Sequence, residues 1–97
     1  MAQVKPAWTR LALADLDNAY RYIAEENPSA ALRVIARIEK AVAALRRHPE
    51  LGRPGRVGGT RELIIPGTPF IAAYRIKDKR LEVLAVIHGA RRWPEDM

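Results

Sequence analysis

From Arg10 onward, apolar residues recur along the chain with a helical period. Leu13, Leu16, Tyr20 and Ile23 fall at alternating steps of three and four, so on a helix they make one stripe, with Asp15, Asp17, Arg21 and Glu25 on the other side. Thr9 is a suitable N-cap, and the pattern predicts a helix from there to about Glu26. Asn27-Pro28 then stops one helix and starts the next. Asn27 offers a side-chain acceptor at the N-cap, and Pro28 gives up an N–H that would find no partner in a first turn. Ala31, Ile35, Ile38, Val42 and Leu45 form the second stripe, widened by Val34 and Ala41, to about Arg47. Arg46, Arg47 and His48 suit the negative end of the helix dipole, and Pro49 ends the element. With almost no loop between them, the two helices must pair as an antiparallel hairpin or lie side by side across a sheet.

The period changes at Thr60. Thr60–Pro66, Pro69–Lys77 and Arg80–Gly89 are rich in Ile, Leu, Val, Phe and Tyr and read as three strands. Pro66-Gly67-Thr68-Pro69 punctuates the first junction and Asp78-Lys79 the second. A two-residue loop at Asp78-Lys79 sets Arg75 opposite Glu82, and strict alternation then puts His88 on the Arg75 face with Leu84 and Val86. The first junction leaves two registers. A loop of Gly67-Thr68-Pro69 places Arg61 opposite Arg75; one residue more sends Arg61 to the other face. Gln3–Trp8 reads as a short strand that Pro6 confines to an edge. The expected fold is α+β, a two-helix hairpin packed on a small antiparallel β-sheet, as one domain over residues 1–97.

Between helices and strands lies HPELGRPGRVGG, residues 48–59, from which Arg53 and Arg56 project. It serves either as a plain connector or as a mobile basic lip beside whatever the sheet binds. It is no P-loop, because no Lys-Ser/Thr follows and the next element is a strand.

Composition narrows the function. The chain has 97 residues and no cysteine, which excludes disulfides, a cysteine zinc site and a thiol nucleophile. No apolar run approaches the roughly 18 residues of a membrane span, and no apolar h-region follows the N-terminus, so a cytoplasmic protein is expected, with no membrane partner. The net charge is +6. Residues 1–45 hold six Lys/Arg against five Asp/Glu, and residues 46–97 hold eleven against six, so the excess belongs to the sheet and its loops. That field attracts nucleic acid, a ribosome or an acidic protein, although it also serves simply as a solvated surface.

No carboxylate dyad stands out, His48 and His88 lack metal-ligand spacing, and the single serine, Ser29, opens a helix. No metal or other cofactor is expected. What remains is Arg61, Tyr74, Arg75, His88, Arg91 and Arg92, a set suited to phosphodiester chemistry. Arginine forks stabilise charge on phosphorus oxygens, and histidine moves protons near neutrality. Each has a plainer role too: Arg75 pairing with Glu82, His88 bonding to backbone, Trp93 lidding the core edge, Arg91 and Arg92 as solvated tail charges.

The segments ADLDNAYRYIAEENPSAA, PELGRPGR, GTRELIIPGTPFIAAYRI and VLAVIHGARRWP together resemble the RelE/ParE superfamily of toxins from bacterial type II toxin–antitoxin modules, over nearly the whole chain. The resemblance implies a cognate antitoxin that wraps and neutralises the toxin. It also implies one of two targets. RelE-like members cut mRNA in the ribosomal A site; ParE-like members poison DNA gyrase without hydrolytic chemistry. The positions matching a RelE-type site are Arg61, Arg75 and the His88–Arg92 segment. On the RelE-like reading, the chain is a metal-independent endoribonuclease that leaves a 2′,3′-cyclic phosphate. Arg61 and Arg75 stabilise the phosphorane, His88 transfers the proton, and Arg53, Arg56, Arg91 and Arg92 bind phosphate on ribosome and mRNA. The alternative is gyrase inhibition by contact. Two departures from the RelE pattern stand out: the middle strand lacks lysines before Lys77, and no tyrosine follows Trp93.

Overall fold

A computed structural model describes residues 5–89. It comprises β1 (Pro6–Trp8), α1 (Arg10–Ala24), α2 (Pro28–Ala44), β2 (Arg53–Pro54), β3 (Arg61–Ile64), β4 (Phe70–Lys77) and β5 (Arg80–His88). Both expected caps are in place. The Thr9 hydroxyl accepts the Ala12 N–H at 3.1 Å, and Asn27 Oδ1 accepts the Ala30 N–H at 3.1 Å. α2 ends at Ala44, a turn short of Arg47. There the Leu45, Arg46 and Arg47 N–H groups bond three residues back, to Val42, Ala43 and Ala44, tightening the chain before Pro49.

The strands form one sheet in the order β1-β5-β4-β3-β2. β1 lies parallel to β5, and the other pairs are antiparallel, so the sheet is mixed rather than purely antiparallel. β1 stays at the edge, where Pro6 needs no donor. The loop before β3 contains β2, which pairs Arg53 with Glu62 and Pro54 with Arg61. Two residues between Gly52 and Gly55, one of them proline, give no strand signal in the sequence.

The helices cover one face of the sheet. Ile38, Val42 and Leu45 of the second stripe meet Ile65, Tyr74, Leu81 and Val83, all essentially inaccessible. Each large apolar side chain buried there contributes roughly 1.5–3 kcal/mol. On the other face Ala73, Ala85 and Ile87 form a separate small buried cluster. Among the described residues no helix is long and apolar enough to cross a membrane.

Candidate functional site

The β4–β5 hairpin turns at Asp78 and Lys79, whose φ angles of 54° and 63° make the two-residue turn expected from the sequence. Arg75 faces Glu82 as anticipated, and its Nε donates to Glu82 Oε1 at 2.7 Å. Beyond that pair the register breaks. Tyr74 pairs with Val83 and Ala73 with Ala85, leaving Leu84 without a partner in a β-bulge. One extra residue reverses the alternation of everything after it. His88 therefore pairs with Phe70 and lies on the helix-covered side with Val86, while Arg75 lies on the opposite face with Ala73 and Ala85. The expectation that Arg75 and His88 share a face is corrected by this bulge.

The first junction resolves to the longer loop. Ile65 donates to Phe70 across Pro66–Pro69, and Arg61 pairs with Tyr74, not Arg75. Arg61 thus shares the helix-side face with His88 but sits at the other end of the sheet. Their partners on β4 are four residues apart and β3 and β5 are two strands apart, so roughly 13 Å along and 10 Å across separate them. Arg75 lies five β4 positions from the residue paired with His88, about 17 Å, and on the other face. No single phosphodiester can touch all three.

Arg61 has a different employment. Its Nη1 donates to the Gly52 carbonyl at 2.7 Å and the Glu50 carbonyl at 3.3 Å. Beside it the buried Tyr74 hydroxyl donates to the Pro49 carbonyl at 2.7 Å and accepts the Gly52 N–H at 2.8 Å. Burial raises the Tyr74 phenol above its ordinary pKa, against the lowering effects of the Gly52 N–H and the Arg61 charge. Gly52 must be glycine, because a Cβ would sit 2.6 Å from the Tyr74 hydroxyl. Arg61 and Tyr74 together strap the 49–52 segment to the sheet.

Arg53 and Arg56 are tied by a residue that sequence reasoning missed. Glu62, only 2% exposed, accepts from Arg53 Nη2 at 3.2 Å and from the Arg56 backbone N–H at 3.0 Å, with Arg56 Nε at 3.5 Å. Both guanidinium side chains stay about half exposed, and Glu62 ties the 53–56 segment to β3. A lone Glu beside strand residues gave no hint of burial. Arg91, Arg92 and Trp93 lie outside the described residues.

A second missed acid, Asp15 of α1, accepts the Val86 N–H at 3.0 Å. Burial raises its carboxyl above the usual carboxylate range, partly offset by that bond. Asp15, Ala19, Tyr22, Phe70, Val86 and His88 border a cavity of about 690 Å³ between α1 and the sheet. There Phe70 meets the His88 ring edge-on at 5.7 Å. On the opposite face a groove of about 600 Å³ runs past Leu11, Leu84, Arg75, Thr60 and Val57. Among the described residues no group of three His, Cys, Asp or Glu side chains could hold a metal ion.

Residues 7–93 match the family described as ParE toxin of type II toxin–antitoxin system, parDE. A Sinorhizobium fredii protein named "Putative toxin Y4kP" is 44% identical over 95 residues, 98% of each chain. Toxin RelE2 of Caulobacter vibrioides is 34% identical over 91 residues, 94% of this chain and 99% of its own. Among solved structures, the chromosomal ParDE system of P. aeruginosa superposes with a TM-score of 0.83 at 32% identity, over 89% of this chain and 96% of that one. The RelBE2 toxin–antitoxin complex of Mycobacterium tuberculosis gives 0.66 at 26% identity, over 90% and 99%. The helix hairpin on its mixed sheet and these matches along nearly the full length agree: the chain belongs to the ParE toxin family, within the RelE/ParE superfamily of type II toxin–antitoxin modules.

Proposed function

We propose that this toxin acts as its ParE-like relatives do, inhibiting DNA gyrase by binding, and that a cognate antitoxin neutralises it. One observation carries the choice over RNA cleavage: Arg61, Arg75 and His88 are dispersed over two faces and two ends of the sheet. Cleavage by an internal 2′-hydroxyl needs its base, acid and charge stabiliser within hydrogen-bond reach of one phosphate. Here Arg61 is engaged by backbone carbonyls and Arg75 by Glu82. A contact inhibitor needs something else, a surface whose shape is fixed before the partner arrives. Tyr74, Arg61 and Glu62 supply that by fixing the 49–56 segment, where Arg53 and Arg56 pair with Glu62 and stay about half exposed beside it.

The test pairs two assays on purified toxin: supercoiling by gyrase, and primer extension on an mRNA undergoing translation. Inhibited supercoiling with intact mRNA is expected, and Arg75→Ala and His88→Ala should leave the inhibition in place. Cleaved mRNA, with cleavage lost in Arg75→Ala or His88→Ala and gyrase unaffected, would overturn the proposal in favour of RelE-like nuclease action.

A further inference from the structure

The outer face of α2 carries a row of cations. Arg33, Arg37 and Lys40 follow at steps of four and three, and all are exposed. At about 100° per residue they fall within a strip roughly 60° wide, on the side away from Ile38, Val42 and Leu45. From first to last the row spans about 10 Å at ~1.5 Å per residue, and Arg47, exposed as well, follows in the turn beyond Ala44. The Lys40 end borders a shallow basic depression with Arg46, Arg47 and His48.

Three features set this face apart from an ordinary solvated one. Its cations join no ion pair among the described residues, whereas Arg21, Arg53, Arg56 and Arg75 each meet a carboxylate. Arg33 and Arg37 repel each other at i,i+4 and Arg37 and Lys40 at i,i+3, positions where a glutamate would instead stabilise the helix. The first turn of α2, just before Arg33, holds no acid to offset the row's charge. A unipolar row costs the isolated toxin stability, which points to a polyanion that recovers it.

The row also lacks an apolar seat. On α2 the one large exposed apolar side chain, Leu32, lies about 100° around the helix from Arg33. A partner helix would need apolar area to bury, whereas a phosphate backbone needs only charge. We propose that α2 lies along the backbone of duplex DNA, so that the toxin grips the DNA segment gyrase holds as well as the enzyme. The setting rests on the gyrase proposal above; the DNA contact itself does not.

Fluorescence anisotropy of the full chain with a labelled duplex of about 20 bp, ample for the ~10 Å helical row and Arg47 beyond it, tests it. With four phosphates neutralised, log K should fall against log salt with a slope near −3.6, roughly a hundredfold between about 50 and 200 mM. The triple change Arg33→Glu, Arg37→Glu, Lys40→Glu should lower affinity at least tenfold and flatten the slope. Lys77→Glu, Lys79→Glu, Arg80→Glu makes the same change in net charge at the exposed hairpin tip and should retain most of the binding. Circular dichroism verifies that both variants fold. No duplex binding, equal loss in the two triple variants, or tighter binding of an RNA hairpin of equal length would each overturn the inference. So would loss of antitoxin co-purification in the α2 variant with its DNA binding intact. A supercoiling assay on the same preparations keeps the two ideas apart. Inhibition without duplex binding sinks the DNA contact alone, and duplex binding without inhibition sinks the gyrase reading alone.

Discussion

Tyr74→Phe removes one oxygen from the centre of the strap that fixes the 49–52 segment. The hydroxyl is buried, donates to the Pro49 carbonyl at 2.7 Å and accepts the Gly52 N–H at 2.8 Å. Phenylalanine keeps the ring and its apolar contacts, so cavity formation contributes little. The loss lies in the two backbone groups left behind. Each unsatisfied buried group costs about 1–3 kcal/mol, and the carbonyl at the segment's edge can regain water. A net destabilisation of about 2–3 kcal/mol follows. For a chain of this length unfolding entropy is roughly 0.2 kcal/mol/K, so the melting temperature should drop by about 10–15 °C. Thermal unfolding followed by circular dichroism measures this, with urea titration to verify that the m-value is unchanged. Amide exchange should rise at residues 50–53 before it rises in β4. Arg61→Met should cost about 1–2 kcal/mol by releasing the Gly52 and Glu50 carbonyls. The double variant should lose less than the sum, because once the segment has lifted neither tether has anything to hold. Full additivity, or a Tyr74→Phe cost under about 0.5 kcal/mol, would refute the strap and with it the view of Arg61 as a structural residue.

Two further substitutions probe the acids that were not foreseen. Glu62→Ala should cost about 1–2 kcal/mol and break the contacts to Arg53 and to the Arg56 backbone, read as a lower melting temperature and faster exchange at the Arg56 amide, whose N–H bonds Glu62 at 3.0 Å. Asp15→Asn keeps an acceptor for the Val86 N–H and removes the charge. Because burial lifts the folded carboxyl above the ordinary carboxylate range, ionisation of Asp15 opposes folding, and wild type should lose ground to the variant as pH rises through the folded pKa. Unfolding titrations of both proteins between pH 3 and 7 give that difference; a gap moving the other way would mean that the Val86 bond outweighs burial.

The parts of this fold legible in the sequence are those set by near neighbours. Thr9 and Asn27 cap helices whose N–H groups lie three residues on, and the Asp78-Lys79 turn fixes Arg75 against Glu82 within eight residues. Side-chain stripes repeat within a single helix. The buried state of Glu62 was illegible because it depends on β2, a two-residue strand whose only pattern is its pairing with β3. The Pro66–Pro69 loop was ambiguous for another reason. Both candidate lengths put apolar residues on the helix side, since Leu63, Ile64 and Ile65 are apolar in succession and alternation cannot choose between them.

The same degeneracy explains why the expected site did not assemble. Val83 to Ile87 is apolar at every position, so a bulge at Leu84 leaves no trace in the hydrophobic pattern. Either alternation buries something acceptable on both faces. What selects the bulged register comes from the other end of the chain. The Thr9 hydroxyl donates to the Leu84 carbonyl at 3.1 Å, and Asp15 accepts the Val86 N–H at 3.0 Å. These two residues, each more than 70 positions away in sequence, occupy the β5 edge that β1 leaves uncovered after Trp8. Thr9 was recognised for capping a helix and Asp15 as one of its solvent-side charges, yet together they support the register that decides which face His88 takes. A site inferred from alternation along one strand is therefore only as secure as that strand's register, and here the register is held by α1 and the residue that caps it.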